Sequence, residues 1–181
     1  MGRIKISGYA IQQINPITLR KNIGYITEKI NIINISIREN FKIVSKDISN
    51  KEIIEALVDV GCWNYVKDLP NDLDFLISAN GENLPPNIRF LILLAINLVK
   101  APKIFMIDNI PHEVLNPDND FDFVNFIKTK LKDKTVLVIT NRSDIVKQAD
   151  ISYTYLKRGQ VTLGEPKEMI ELATKMNIEI F

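Results

Sequence analysis

The chain has 181 residues, 46% of them hydrophobic and 25% charged, a globular balance that excludes intrinsic disorder and a disulfide-dense scaffold. Its 23 basic and 22 acidic side chains leave a net charge of +1, too little to favour nucleic acid or an anionic membrane as partner. One cysteine, Cys62, and one histidine, His112, exclude a Cys/His zinc site and an intrachain disulfide, and point to a reducing compartment.

The length predicts one domain, or one domain with a small subdomain. The residues at 1–5, Met-Gly-Arg-Ile-Lys, lack the apolar core of a secretory leader, and the most apolar stretch, 90–99, is broken by Asn97 and falls short of the roughly 20 residues of a membrane span. Any membrane contact is therefore expected to come through a partner.

In chain order, 4–7 and 23–27 read as strands, and Ser36 caps a short helix through residue 41. Asn50 reads as the N-cap of a helix to residue 60, with Ile53, Ile54, Leu57 and Val58 on one stripe and Gly61 as its stop. The stretch 69–84 is rich in turn residues and ends at Pro85-Pro86, where a helix opens and runs to Lys100 with Ile88, Leu91, Ile92, Ala95 and Val99 at helical spacing. After Pro102, residues 103–108 form an apolar run ending in Asp108, which reads as a buried strand of a parallel sheet. A helix over about 121–132 and a second buried strand at 135–140 follow, so strand, helix and strand imply a right-handed crossover. The tail predicts two strands turning at Arg158-Gly159, then a helix opening at Pro166. The expected fold class is α/β with a parallel sheet.

Asp108 is the leading chemical candidate, because a carboxylate at the C-terminal end of a parallel strand stands where α/β folds bind ligands. Magnesium on a nucleotide is its natural guest, with a turn-capping role as the plain alternative. The loop that would cradle the phosphates, G-x-x-x-x-G-K-[ST], is absent from the sequence, since none of the seven glycines is followed by lysine. Asp118, Asp120 and Asp122 mimic the start of a calcium loop, but Phe123 replaces its glycine and Thr129 its glutamate, so helix-start acids are the better reading. Cys62 reads as a buried structural thiol and His112 as a solvated loop residue.

Taken together, "GRIKISG" at 2–8, "LRKNIGYITEK" at 19–29, "NISIRENF" at 34–41, "LPNDLDFLISANGENL" at 69–84, "NIRFLILLAINLVKAPKIFMID" at 87–108, "KTVLVITNR" at 134–142 and "GQVTLGEPKEMIE" at 159–171 resemble, in order and spacing, the nucleotide-binding domain of ABC transporters of the exporter and type I secretion kind. The resemblance covers nearly the whole chain. It implies a single truncated domain over 1–181: a partial P-loop NTPase-like (RecA-like) parallel core with a helical subdomain inserted at 36–100.

The family's A-loop aromatic and phosphate loop would lie upstream of residue 2. By the same resemblance the Q-loop glutamine falls on Glu28, and the signature L-S-G-G-Q falls on Leu84, Pro85, Pro86, Asn87 and Ile88. Asp108 keeps the magnesium aspartate, Asn109 stands at the catalytic glutamate, and Asn141 stands at the switch histidine. Prolines donate no N–H to a phosphate, and an amide cannot take a proton from an attacking water. The resemblance thus implies no catalytic residue, impaired nucleotide positions at Glu28, Pro85, Pro86 and Asn87, and magnesium at Asp108 if ATP binds.

Three expectations follow from it. The first is a non-hydrolysing interaction module, docking through 28–36 and 75–83 onto a transporter's transmembrane domain or another nucleotide-binding subunit. Such a chain would be a homo- or hetero-oligomer, cytoplasmic and peripheral to the inner membrane through its partner, with an uncovered sheet edge or groove. The second is an ATP-binding subunit whose phosphate loop lies outside this chain, and the third is a non-functional gene remnant. A binder that reuses the scaffold elsewhere is a weaker fourth.

Overall fold

The computed structural model describes residues 2–27, 32–115, 121–155, 160–176 and 178. Two compact units divide the chain, 1–138 and 139–181.

In the first unit, β1 (Lys5–Ile6) and β2 (Tyr9–Ala10) make a short antiparallel hairpin. The helix α1 (Pro16–Asn22) follows, a segment to which apolar periodicity gives no signal. The Asn15 side chain accepts from the Ile17 and Thr18 N–H groups, and Pro16 occupies the first helical turn, where its missing N–H costs nothing. The chain passes directly from α1 into β3 (Ile23–Thr27), which pairs in parallel with β4 (Ile104–Asp108), from Ile23 opposite Ile104 to Thr27 opposite Asp108. β5 (Thr135–Ile139) completes a parallel sheet of order β3-β4-β5, reached from β4 through α6 (Phe123–Lys130). The fold is the expected α/β arrangement, consistent with a partial P-loop NTPase-like core.

The two strands expected to be buried are corrected. On β4 only Phe105 and Ile107 are buried, and Ile104 and Met106 are half-buried. β5 ends at Ile139 and leaves Leu137 48% and Ile139 66% exposed. Parallel sheets ordinarily have both faces covered. Here helix α5 (Pro86–Lys100) packs on β3, while Tyr25 on that strand stays exposed.

The helical layer holds α2 (Ile37–Val44), α3 (Asn50–Asp59), α4 (Trp63–Lys67) and α5. Ser36 caps α2 as expected. The cap of α3 is Ser49 and not Asn50: its hydroxyl accepts from the Glu52 N–H while the Glu52 carboxylate accepts from the Ser49 N–H, a reciprocal box that Asn50 cannot close. Hydrogen bonds from serine hold the carboxyls of Glu39 and Glu52 below their usual range. Helix α5 lies at the centre, touching α2, α3 and β3, with Phe90, Ile92, Leu94 and Ala95 fully enclosed. A Lys130–Asp59 ion pair of 2.5 Å ties α6 to α3.

The second unit contains α7 (Ser143–Val146), the antiparallel strands β6 (Ser152–Tyr155) and β7 (Val161–Gly164), and α8 (Pro166–Lys175). The two strands and the terminal helix match expectation, and the turn at Arg158-Gly159 lies outside the described residues. Helix α8 packs on both strands, burying Met169 and Ala173. Among the described residues no helix is long and apolar enough to cross a membrane.

Candidate functional site

The start of β3 meets the end of α5. The Lys100 ammonium donates to the Ile23 carbonyl at 2.6 Å, and the Lys103 N–H donates to the Asn22 carbonyl at 3.1 Å. Partial burial lowers the Lys100 pKa. A turn of three residues, 101–103, separates α5 from β4, so α5 runs antiparallel to the strands. From Asn97, beside Gly24, the helix runs back about 16 Å to Pro86 at 1.5 Å per residue, whereas β3 advances only about 10 Å from Gly24 to Thr27 at roughly 3.3 Å per residue. The helix therefore leads back in the direction of the strands' C-terminal ends, the ends at which Asp108 stands.

Asp108 ends β4 half-buried, beside Thr27 in register, and its Oδ2 lies 3.5 Å from the Tyr25 hydroxyl, which donates to it. That contact joins residues 83 positions apart, and Tyr25 carried no sequence signal of its own beyond strand alternation. Asn109 follows in a left-handed conformation (φ 57°), a backbone region that asparagine tolerates better than glutamate does. It is exposed. Pro85 is the N-cap of α5 without any side-chain cap bond, Pro86 is the first helical residue, and both are exposed. Asn87 is half-buried, and Asn141 is exposed just after β5. Glu28 lies outside the described residues.

Magnesium and ATP can be tested against these groups. Among the described residues no cluster of three His, Cys, Asp or Glu side chains forms, so a cation would rest on Asp108 and borrow its other ligands from a nucleotide. The sequence contains no G-x-x-x-x-G-K-[ST] loop to cradle the phosphates of that nucleotide, and at the start of α5 Pro86 lacks the N–H that a helix N-terminus offers an anion. The residues present fit a single metal contact and not an independent ATP site.

The other sequence candidates resolve into structural roles. Asp122 caps α6 by accepting from the Asn125 N–H, whereas Asp118 and Asp120 lie outside the described residues. His112 is exposed, as expected, although it opens a short 3-10 segment (His112–Leu115) instead of lying in a loop. Cys62 is 1% exposed, and burial pushes its thiol up to about 12. A thiol that cannot ionise is a poor nucleophile. The native chain at pH 8 is therefore expected to give no fast reaction with a disulfide reagent, and one equivalent after unfolding; rapid native labelling would refute the buried-thiol assignment.

No family model matches the chain. It is similar to an ATP-dependent lipid A-core flippase of Syntrophus aciditrophicus, 30% identical over 149 residues, which is 82% of this chain and 25% of that protein. It is also similar to the multidrug resistance protein pgp-1 of Caenorhabditis elegans, 27% identical over 88% of this chain and 12% of the relative. A third similarity is to the cyclolysin secretion/processing ATP-binding protein CyaB of Bordetella pertussis, 25% identical over 82% of this chain and 21% of the relative. The chain thus spans a quarter or less of the length of these relatives. The similarity to flippase, multidrug and secretion proteins of this kind supports an ABC transporter domain, related to the ATP-binding region of the exporters.

Proposed function

We propose that the chain is a degenerate ATP-binding cassette domain of an ABC-type exporter, without ATP hydrolysis on its own, that serves as a structural or regulatory interaction module. The observation that carries this reading is the joining of the segments 32–36 and 75–83. Ser36 bridges Leu76, the Ile77 N–H donates to the Ile35 carbonyl at 3.1 Å, and the Ile37 N–H donates to the Phe75 carbonyl at 3.2 Å. The buried Asn40 side chain bonds both backbone groups of Ile33, and that of Asn83 bonds Leu76 and Ser78. These braced segments hold Ile33 50% and Leu76 69% exposed. Large apolar side chains held open on fixed backbone suit a docking surface.

The partner in this reading is the transmembrane domain of a transporter or another nucleotide-binding subunit, in a homo- or hetero-oligomer on the cytoplasmic side of the inner membrane. Residues 36–100 act as the helical subdomain of one domain spanning 1–181. Asn109 and Asn141 stand where the general base and the switch histidine would act, and Glu28, Pro85, Pro86 and Asn87 replace nucleotide-contacting groups. A second reading, an ATP-binding subunit whose phosphate loop lies outside this chain, is favoured by one observation: the Tyr25 hydroxyl still orients the Asp108 carboxylate at the sheet edge.

Calorimetric titration with Mg-ATP, with Asp108→Ala as control and phosphate release followed in parallel, separates the two. The expected result is neither saturable heat nor phosphate release at millimolar ATP. Saturable binding lost in Asp108→Ala would overturn the module reading in favour of the second, and phosphate release by the chain alone would overturn both.

A further inference from the structure

The β6–β7 hairpin is amphipathic the wrong way round for a two-stranded sheet that has one helix and one solvent face. Toward α8 it turns Ser152, Thr154, Thr162 and Gly164, all small and half-buried. To the outside it presents Ile151, Tyr153, Tyr155, Val161 and Leu163, each between 55 and 72% exposed. An antiparallel sheet with one wet face ordinarily places its large apolar side chains on the covered side. An open face made of five large apolar residues marks a surface that something covers.

We infer that a second copy of this chain covers it, the two hairpins packing face to face about a twofold axis. Three features single out a second copy. The register sets Tyr153 opposite Leu163 and Tyr155 opposite Val161, so each strand pair joins an aromatic ring to an aliphatic side chain. A twofold axis lying between the two faces and parallel to the strands lays Tyr153 and Tyr155 of one copy over Leu163 and Val161 of the other, so the face is complementary to itself.

None of the five residues is charged, and each chain carries a net charge of only +1, so two copies meet with little repulsion. Five side chains exposing rather more than half of their surface supply roughly 500 Å² per copy, about 1,000 Å² for the pair, which reaches the lower bound of a specific interface. The dimer is accordingly a weak one, populated by concentration. The five residues belong to the second unit, and the inference does not depend on whether nucleotide binds.

Sedimentation of the whole chain over a wide concentration range tests it. A monomer–dimer equilibrium is expected, with Tyr155→Lys and Val161→Glu each weakening association about tenfold or more, as loss of a central contact does. An equimolar mixture of the two variants is expected to associate again, because the twofold places lysine against glutamate. Ile43→Lys, at an exposed apolar position of α2 outside both surfaces, serves as a control and leaves the equilibrium unchanged. Circular dichroism verifies that each variant is folded, and Leu163→Thr, which keeps strand propensity, repeats the test without a new charge. A parent chain that stays monomeric, or one whose association ignores every hairpin variant, overturns the proposal and leaves the face to a different polypeptide. A mixture that fails to re-associate overturns the face-to-face geometry.

Discussion

Replacing Phe90 by alanine is expected to destabilise the first unit by about 3–5 kcal/mol, the range for truncating an aromatic ring in a closed core. Phe90 is completely buried on α5, and α5 is the element against which α2, α3 and β3 all pack. The void left behind cannot be filled by a shift of one neighbour without disturbing the others, so the cavity cost adds to the lost transfer energy. Such a loss is a large share of the roughly 5–15 kcal/mol that holds a typical domain folded. Phe90→Leu keeps most of the volume and is expected to cost less than half as much. The single tryptophan, Trp63, lies in α4 within the first unit, so its fluorescence in a urea titration reports on the unit that carries the substitution. A loss below 1 kcal/mol for the alanine variant would show that α5 is not the centre of that core.

Helix α5 and strand β4 were legible for physical reasons. Fifteen residues with apolar side chains at helical spacing, a proline at the start and Pro102 just past the end define a helix, and an apolar run ending in Asp108 defines the strand and the ligand edge together. The helices that escaped, α1, α4 and α7, have seven, five and four residues, too few for periodicity to register. Local chemistry holds α1, through the Asn15 cap and Pro16. For α3 the sequence holds two able caps, Ser49 and Asn50, and Glu52, three residues after Ser49, decides between them. The burial of β5 was misjudged because Thr-Val-Leu-Val-Ile reads the same whether one face of the strand is covered or both. The approach of Tyr25 to Asp108 was illegible, since it follows from strand register across 83 positions. Ile33 and Leu76 were inside the segments named for docking, but their exposure is a tertiary fact that no local pattern states.

Gly24→Val is the second substitution expected to have a large effect, for the opposite reason to Phe90→Ala. A Cβ at Gly24 would stand 2.9 Å from Asn97 Oδ1 and 2.9 Å from Pro102 Cγ, closer than such atoms approach. Neither neighbour yields easily: the Asn97 amide is anchored on the Leu93 carbonyl at 2.9 Å, and a proline ring has no rotamer into which to retreat. This contact also gives a reason for the polar residue in the middle of the apolar helix, since Asn97 fills the space that a glycine leaves on β3. Any side chain at Gly24 must push β3 away from α5, at a cost of about 1–3 kcal/mol for alanine and at or above the top of that range for valine. Because β3 carries Tyr25 and Thr27 alongside β4, the displacement is also expected to draw the tyrosine hydroxyl away from Asp108. Chemical denaturation of Gly24→Ala, Asn97→Ala and the double variant reads the coupling directly. If the close approach is the cause, the double variant loses less than the sum of the two single losses, by about 0.5 kcal/mol or more. Strict additivity, or a Gly24→Ala chain as stable as the parent, would mean that β3 and α5 have room between them and that the glycine is there for another reason.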